Sequence, residues 1–155
     1  MDITFSQKLI KGKIAEVIFE EMFRISEEFT VLPIGYEYTT PELAQYQHHV
    51  QIKQVLDNIR HAPDFALISQ DKSKVFLVEI KYMYELQREK IFDIAKKMNE
   101  KWNPSFLFIA TKQGFYFDSC NEIIKSKGLI AKLNNNWIKE EYQKEYQKLL
   151  CEFIK

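Results

Sequence analysis

The stretch Ala62-Pro63-Asp64-Phe65-Ala66-Leu67-Ile68, the polar break that follows it, and Val75-Phe76-Leu77-Val78-Glu79-Ile80-Lys81 decide how this chain is read. Two runs of apolar, β-branched and aromatic residues flank a segment rich in turn formers. That pattern predicts two strands joined by a tight turn. Each strand carries charge at the end away from the turn. Burying two acids and a lysine beside a hydrophobic sheet costs on the order of several kcal/mol unless they pair or bind a metal.

With the turn centred between Asp71 and Lys72, a two- or a four-residue loop sets Asp64 opposite Glu79. Directly opposed residues in an antiparallel pair have Cβ atoms roughly 4.5–5.5 Å apart. Carboxylates that close repel unless one is protonated or a cation bridges them. Mg²⁺ suits the position, since it takes a few carboxylate oxygens together with water and phosphate oxygens. Lys81 lies two residues beyond Glu79 and so shares its face. Asp, Glu and Lys converging on one point are what metal-assisted phosphodiester hydrolysis requires: a metal to activate water, and a cation for the charge that develops. A solvated salt-bridge cluster at the strand ends is the other reading of the same residues.

The set Pro63-Asp64 followed by Glu79-Ile80-Lys81 resembles the PD-(D/E)XK nuclease superfamily, the restriction-endonuclease-like fold that includes Holliday-junction resolvases. Residues 11–16, Lys-Gly-Lys-Ile-Ala-Glu, are similar to the Gly-x-x-x-Glu of resolvase-like members. They fall in a helix expected over residues 5–25, where Ile10, Ile14, Val17, Ile18, Met22 and Ile25 recur at helical spacing. The resemblance spans roughly residues 5–111. It implies that Asp64 and Glu79 ligate Mg²⁺ or Mn²⁺, with the Ile80 carbonyl as a further ligand. It also implies that Lys81 positions or activates water. Glu16 would orient Lys81 or help hold a second metal, with Glu20 one turn on as the alternative acid. Residues 41–59 are the departure from a minimal member: they read as a Gln- and His-rich helix inserted between the first strand and Asp64, with Pro41 suited to its first turn.

A length of 155 residues fits one domain with a hydrophobic core, and 46% hydrophobic content makes it globular rather than disordered. No run approaches the roughly 18 apolar residues of a membrane span. The N-terminus has no apolar signal core. Cys120 and Cys151 lie outside any Cys-x-x-Cys pattern and read as free thiols of a cytoplasmic protein. Balanced charge, 22 basic against 22 acidic residues, counts against tight autonomous DNA binding, which leans on Lys and Arg. Local basic groups remain: Lys8, Lys11 and Lys13; Arg88, Lys90, Lys96, Lys97 and Lys101; and Lys125, Lys127 and Lys132. Lys11, Lys13, Gln87, Arg88, Lys90 and Lys97 are the candidate nucleic-acid contacts. A homodimer or a protein partner would supply further affinity.

Residues 87–102 read as a helix, 106–110 as a strand buried on both faces, and 115–117 as a fifth strand. Asp118 or Ser119 caps a short helix that Gly128 stops, residues 128–133 form another strand, and a helix begins at Trp137. Its wide apolar stripe, from Ile138 through Tyr142, Tyr146, Leu149, Leu150 and Phe153 to Ile154, docks on the sheet or forms a dimer face. His48 and His49 are adjacent and point apart on a helix, which makes a poor metal pair, and His61 stands near Pro63-Asp64 as a structural residue or one that supports the site's ligands from behind. The expectation is an α/β, restriction-endonuclease-like domain with a central mixed sheet of about four to six strands flanked by helices. The expected activity is divalent-metal-dependent, endonucleolytic hydrolysis of DNA. Its rivals are a non-catalytic binding module on the same fold and an interaction protein built around the last helix.

Overall fold

The computed structural model describes residues 3–34 and 62–154. The inserted helix expected over 41–59, the end of the first expected strand, and His48, His49 and His61 lie outside the described residues. In chain order the elements are α1 (Ile3–Ile25), β1 (Phe29–Pro33), β2 (Phe65–Ser69), β3 (Val75–Tyr82), α2 (Arg88–Lys101), β4 (Ser105–Thr111), β5 (Gly114–Ser119), α3 (Cys120–Lys125) and α4 (Glu140–Phe153). Among the described residues the sheet has five strands in the order β1-β2-β3-β4-β5. Of these pairs β3–β4 is parallel and the other three are antiparallel. The parallel pair demands a crossover, which α2 supplies.

The β2–β3 turn is a four-residue loop, closed by Ser69 N–H donating to the Lys74 carbonyl at 3.0 Å. Asp71 Oδ1 organises it, accepting from Ser73 Oγ at 2.6 Å, Ser69 Oγ at 2.7 Å and Ser73 N–H at 2.9 Å. Those bonds, from Ser73 first, hold the Asp71 carboxyl down at about 2. Lys72 takes the left-handed conformation the turn needs, at φ 60°.

Alternation along β3 sends Val78 and Ile80 to one side of the sheet and Leu77, Glu79, Lys81 and Met83 to the other. The first side carries the larger core, where Ala15, Ile18, Phe19, Met22 and Phe23 of α1 and Leu150 of α4 meet Phe65, Leu67, Phe108 and Phe117. On the second side Ile91, Ala95 and Met98 of α2 and Ile123 of α3 pack on Leu107 and Ile109. The result is a helix–sheet–helix sandwich, with β4 buried on both faces as its continuous apolar run requires. Among the described residues no helix is long and apolar enough to cross a membrane.

Three expectations need correction. The buried face of α1 is turned toward Ala15, Phe19 and Phe23, leaving Ile10, Val17 and Ile25 exposed. Phenylalanine buries more area than isoleucine, and Ala15 allows the helix close to the sheet. Phe19 accordingly meets Phe23, Phe65 and Phe108 at centroid distances of 4.5, 5.3 and 5.0 Å. The strand expected over 128–133 shrinks to one bridge, Tyr116 to Lys132. There Asp118 Oδ2 takes the Ala131 N–H at 3.1 Å, so a side chain replaces a ladder partner. The last helix starts at Glu140 rather than Trp137, because Trp137 and Ile138 donate to the Asn134 carbonyl in a preceding turn.

Candidate active site

Phe65 pairs with Val78, and one further step sets Asp64 across from Glu79. The Asp64 backbone is tied to β1, its carbonyl accepting from Ile34 N–H at 3.0 Å. Its side chain turns the other way, and Oδ2 accepts the Ile80 N–H at 2.8 Å. The hydrogen-bonded positions of this ladder run from Ser69 with Lys74 in steps of two, so Pro63 is the residue that faces Ile80. Proline has no N–H to give the Ile80 carbonyl. The Asp64 carboxyl takes the Ile80 N–H, and the Ile80 carbonyl projects from the same edge of β3. Pro63 therefore has a structural reason to precede Asp64, one that sequence spacing alone does not reveal.

Asp64 is held at about 8, far above an ordinary carboxylate. Burial is the first cause; a hydrogen bond shared with Glu79 and the Glu79 charge follow, while the Ile80 N–H and Lys81 pull the other way. Two facing acids that share a proton are a site where a cation can take the proton's place. The donor set fits a hard divalent ion: two carboxylates and one backbone carbonyl on one strand edge, with room left in the coordination sphere for water and phosphate oxygens. Lys81 is half-buried on the Glu79 side of β3, and its charge is felt at Asp64.

The remaining candidates are placed separately. Glu16 is on α1, which packs on the Val78 and Ile80 side, and pairs with Lys13 at 3.3 Å. Glu20, the alternative acid, pairs with Arg24 at 2.7 Å. Among the described residues no group of three or more His, Cys, Asp or Glu side chains is placed to hold a metal, so Glu16 does not join Asp64 and Glu79 in one three-acid set. Lys11 reaches the end of β3 from α1, its Nζ 5.6 Å from the Tyr82 ring centroid. Gln87 is the N-cap position of α2 and makes no side-chain capping bond. Arg88 is engaged elsewhere, donating from Nε to the Lys127 carbonyl at 3.0 Å and from Nη2 to the Ser126 carbonyl at 3.1 Å. Lys90 and Lys97 are exposed on α2.

No protein-family model and no curated protein matches this chain. Function is therefore read from the chemistry of the site.

Proposed function

We propose that this chain is a divalent-metal-dependent nuclease with a restriction-endonuclease-like fold, hydrolysing phosphodiester bonds of DNA endonucleolytically. The observation that carries the reading is the Asp64 carboxyl, pinned by the Ile80 N–H against Glu79 with Lys81 on the same face. Supporting it is the element order, a helix and a strand before the hairpin and a crossover helix after it.

Asp64, Glu79 and the Ile80 carbonyl would hold Mg²⁺ or Mn²⁺. Bound there, the ion supplies Lewis-acid polarisation of the phosphate and a more acidic water. Lys81 brings a positive charge to the same face, where it orients the attacking water or offsets charge on the phosphate. The Ile80 N–H fixes the Asp64 carboxyl in one orientation, so little reorganisation is required when the site is filled. Glu16 enters the reading from outside the carboxylate pair, and Glu16→Gln should lower the rate less than Asp64→Asn.

The test is cleavage of duplex, single-stranded and branched DNA with Mg²⁺ or Mn²⁺. Asp64→Asn and Lys81→Met should each lower the rate by about 100-fold or more. Absence of metal-dependent cleavage by the wild type, or cleavage by both variants at the wild-type rate, defeats the proposal. Melting gives an independent readout. Mn²⁺ at about 100 times its Kd stabilises by about 2.7 kcal/mol, and Glu79→Gln should lose most of that gain. A non-catalytic module predicts no such difference between the two proteins.

A further inference from the structure

The charges of α2 are sorted by position around the helix, and the sorting follows the site. Ile91, Ala95 and Met98 face the sheet. At about 100° per residue, Arg88 lies on one flank of that buried stripe. Its bonds to the Ser126 and Lys127 carbonyls show that this flank faces α3. Cys120 and Ile123 of α3 pack with Leu107 and Ile109, and α3 follows β5 directly, which puts it toward the β5 edge. The opposite flank of α2 therefore faces β3 and β2, where Asp64, Glu79 and Lys81 meet. Lys90, Lys97 and Lys101 all fall on that flank. The acids Glu89, Asp93 and Glu100 fall on the outer row, directed away from the sheet. Lys96 lies apart from the lysine row, its Nζ 4.9 Å from the Phe92 ring centroid. Lys90 and Lys97 form no ion pair with an acid among the described residues.

We infer that Lys90 and Lys97, with Lys101 one turn beyond, form a rail that holds the phosphodiester backbone of a nucleic-acid strand beside the Asp64–Glu79–Lys81 cluster. The inference rests on the nuclease reading of that cluster and assigns the path of its substrate. The helical rise from Lys90 to Lys101 is about 16 Å. At about 3.4 Å per nucleotide along one strand of a duplex, that length matches about five nucleotides. Such a rail neutralises phosphates and carries no base readout, so it holds sequences equally. It also reconciles a formal net charge of 0 with a nucleic-acid substrate, because the charge that matters is segregated on one helix flank.

The experiment measures binding without cleavage. Fluorescence anisotropy of a labelled duplex and a labelled single strand of the same sequence, in EDTA and over a range of salt, compares wild type with Lys90→Gln/Lys97→Gln. The double variant should bind about tenfold more weakly, uniformly across sequences. Its log–log salt slope should fall by about 1.8 on duplex or about 1.4 on single strand, and the value obtained says which form lies on the rail. Lys144→Gln/Lys148→Gln on α4 removes equal charge from the other side of the sheet and should change neither quantity. Three results overturn the rail: wild type that binds neither probe, a double variant with unchanged affinity and slope, or an equal loss in the α4 control. Cleavage by the same proteins separates the two ideas. A cleaving wild type with an unaffected double variant sinks the rail alone. Lost binding with no metal-dependent cleavage in the wild type keeps the rail and sinks the nuclease.

Discussion

Burial against Glu79 raises the Asp64 carboxyl far above the usual carboxylate range, and the consequence for stability has a definite sign. Unfolded, the group ionises near 3.8; folded, it does so at about 8. Between those values the folded chain binds more protons, so the contribution is full below about pH 4 and is lost as pH rises toward about 8. Asp64→Asn keeps the neutral form at every pH, and its amide can still accept from Ile80 and donate to Glu79. Denaturant unfolding in EDTA at pH 5 and pH 8 should show the variant gaining on wild type by on the order of 2 kcal/mol, a figure reduced for partial solvent screening. Parallel pH profiles for the two proteins would remove the buried-pair account. At this scale the sequence was informative: two acids and a lysine on strand ends pointed to one spot. The Ile80 N–H as the partner of Asp64, and the Ile80 carbonyl to which Pro63 has no N–H to give, emerge only when the strands are paired.

Among the elements, the short α3 depends most on its surroundings. A helix running only from Cys120 to Lys125 cannot sustain itself by its own hydrogen bonds. Ser119 Oγ caps it by accepting from Glu122 N–H at 3.1 Å. Ser119→Ala should cost about 1 kcal/mol in a thermal melt. Gly128 ends the same unit at φ +106°, and a Cβ there would clash with the Arg88 carbonyl oxygen. Gly128→Ala combines backbone strain with a clash against the start of α2. It should cost about 2–4 kcal/mol, and unchanged melting would show that the contact gives way easily. The cap and the glycine stop were legible as turn chemistry. The strand expected after Gly128 was not realised, because Asp118 competes for the Ala131 amide that a ladder would use.

For the molecule as a whole, stability rests on the aromatic layer between α1 and the sheet. Phe108 is fully buried and contacts Phe19, Phe23, Phe115 and Phe117. Phe108→Ala should cost about 3–5 kcal/mol of unfolding free energy, measured by denaturant. Phe153→Ala, at a residue 66% exposed, should cost less than about 0.5 kcal/mol. Equal effects would contradict the packing described. The sequence by itself determined the α/β class, the hairpin and its register, and with them the meeting of Asp64 and Glu79. Those features are local: turn residues, alternation and strand length are written in neighbouring positions. Tertiary structure decided which face of α1 is buried, that Arg88 serves α3, and that Glu16 stays with Lys13. It also decided that Ile91, Ala95 and Met98 are the face of α2 laid on the sheet. These outcomes depend on how aromatic area and side-chain bonds compete across the sheet, between residues far apart in the chain.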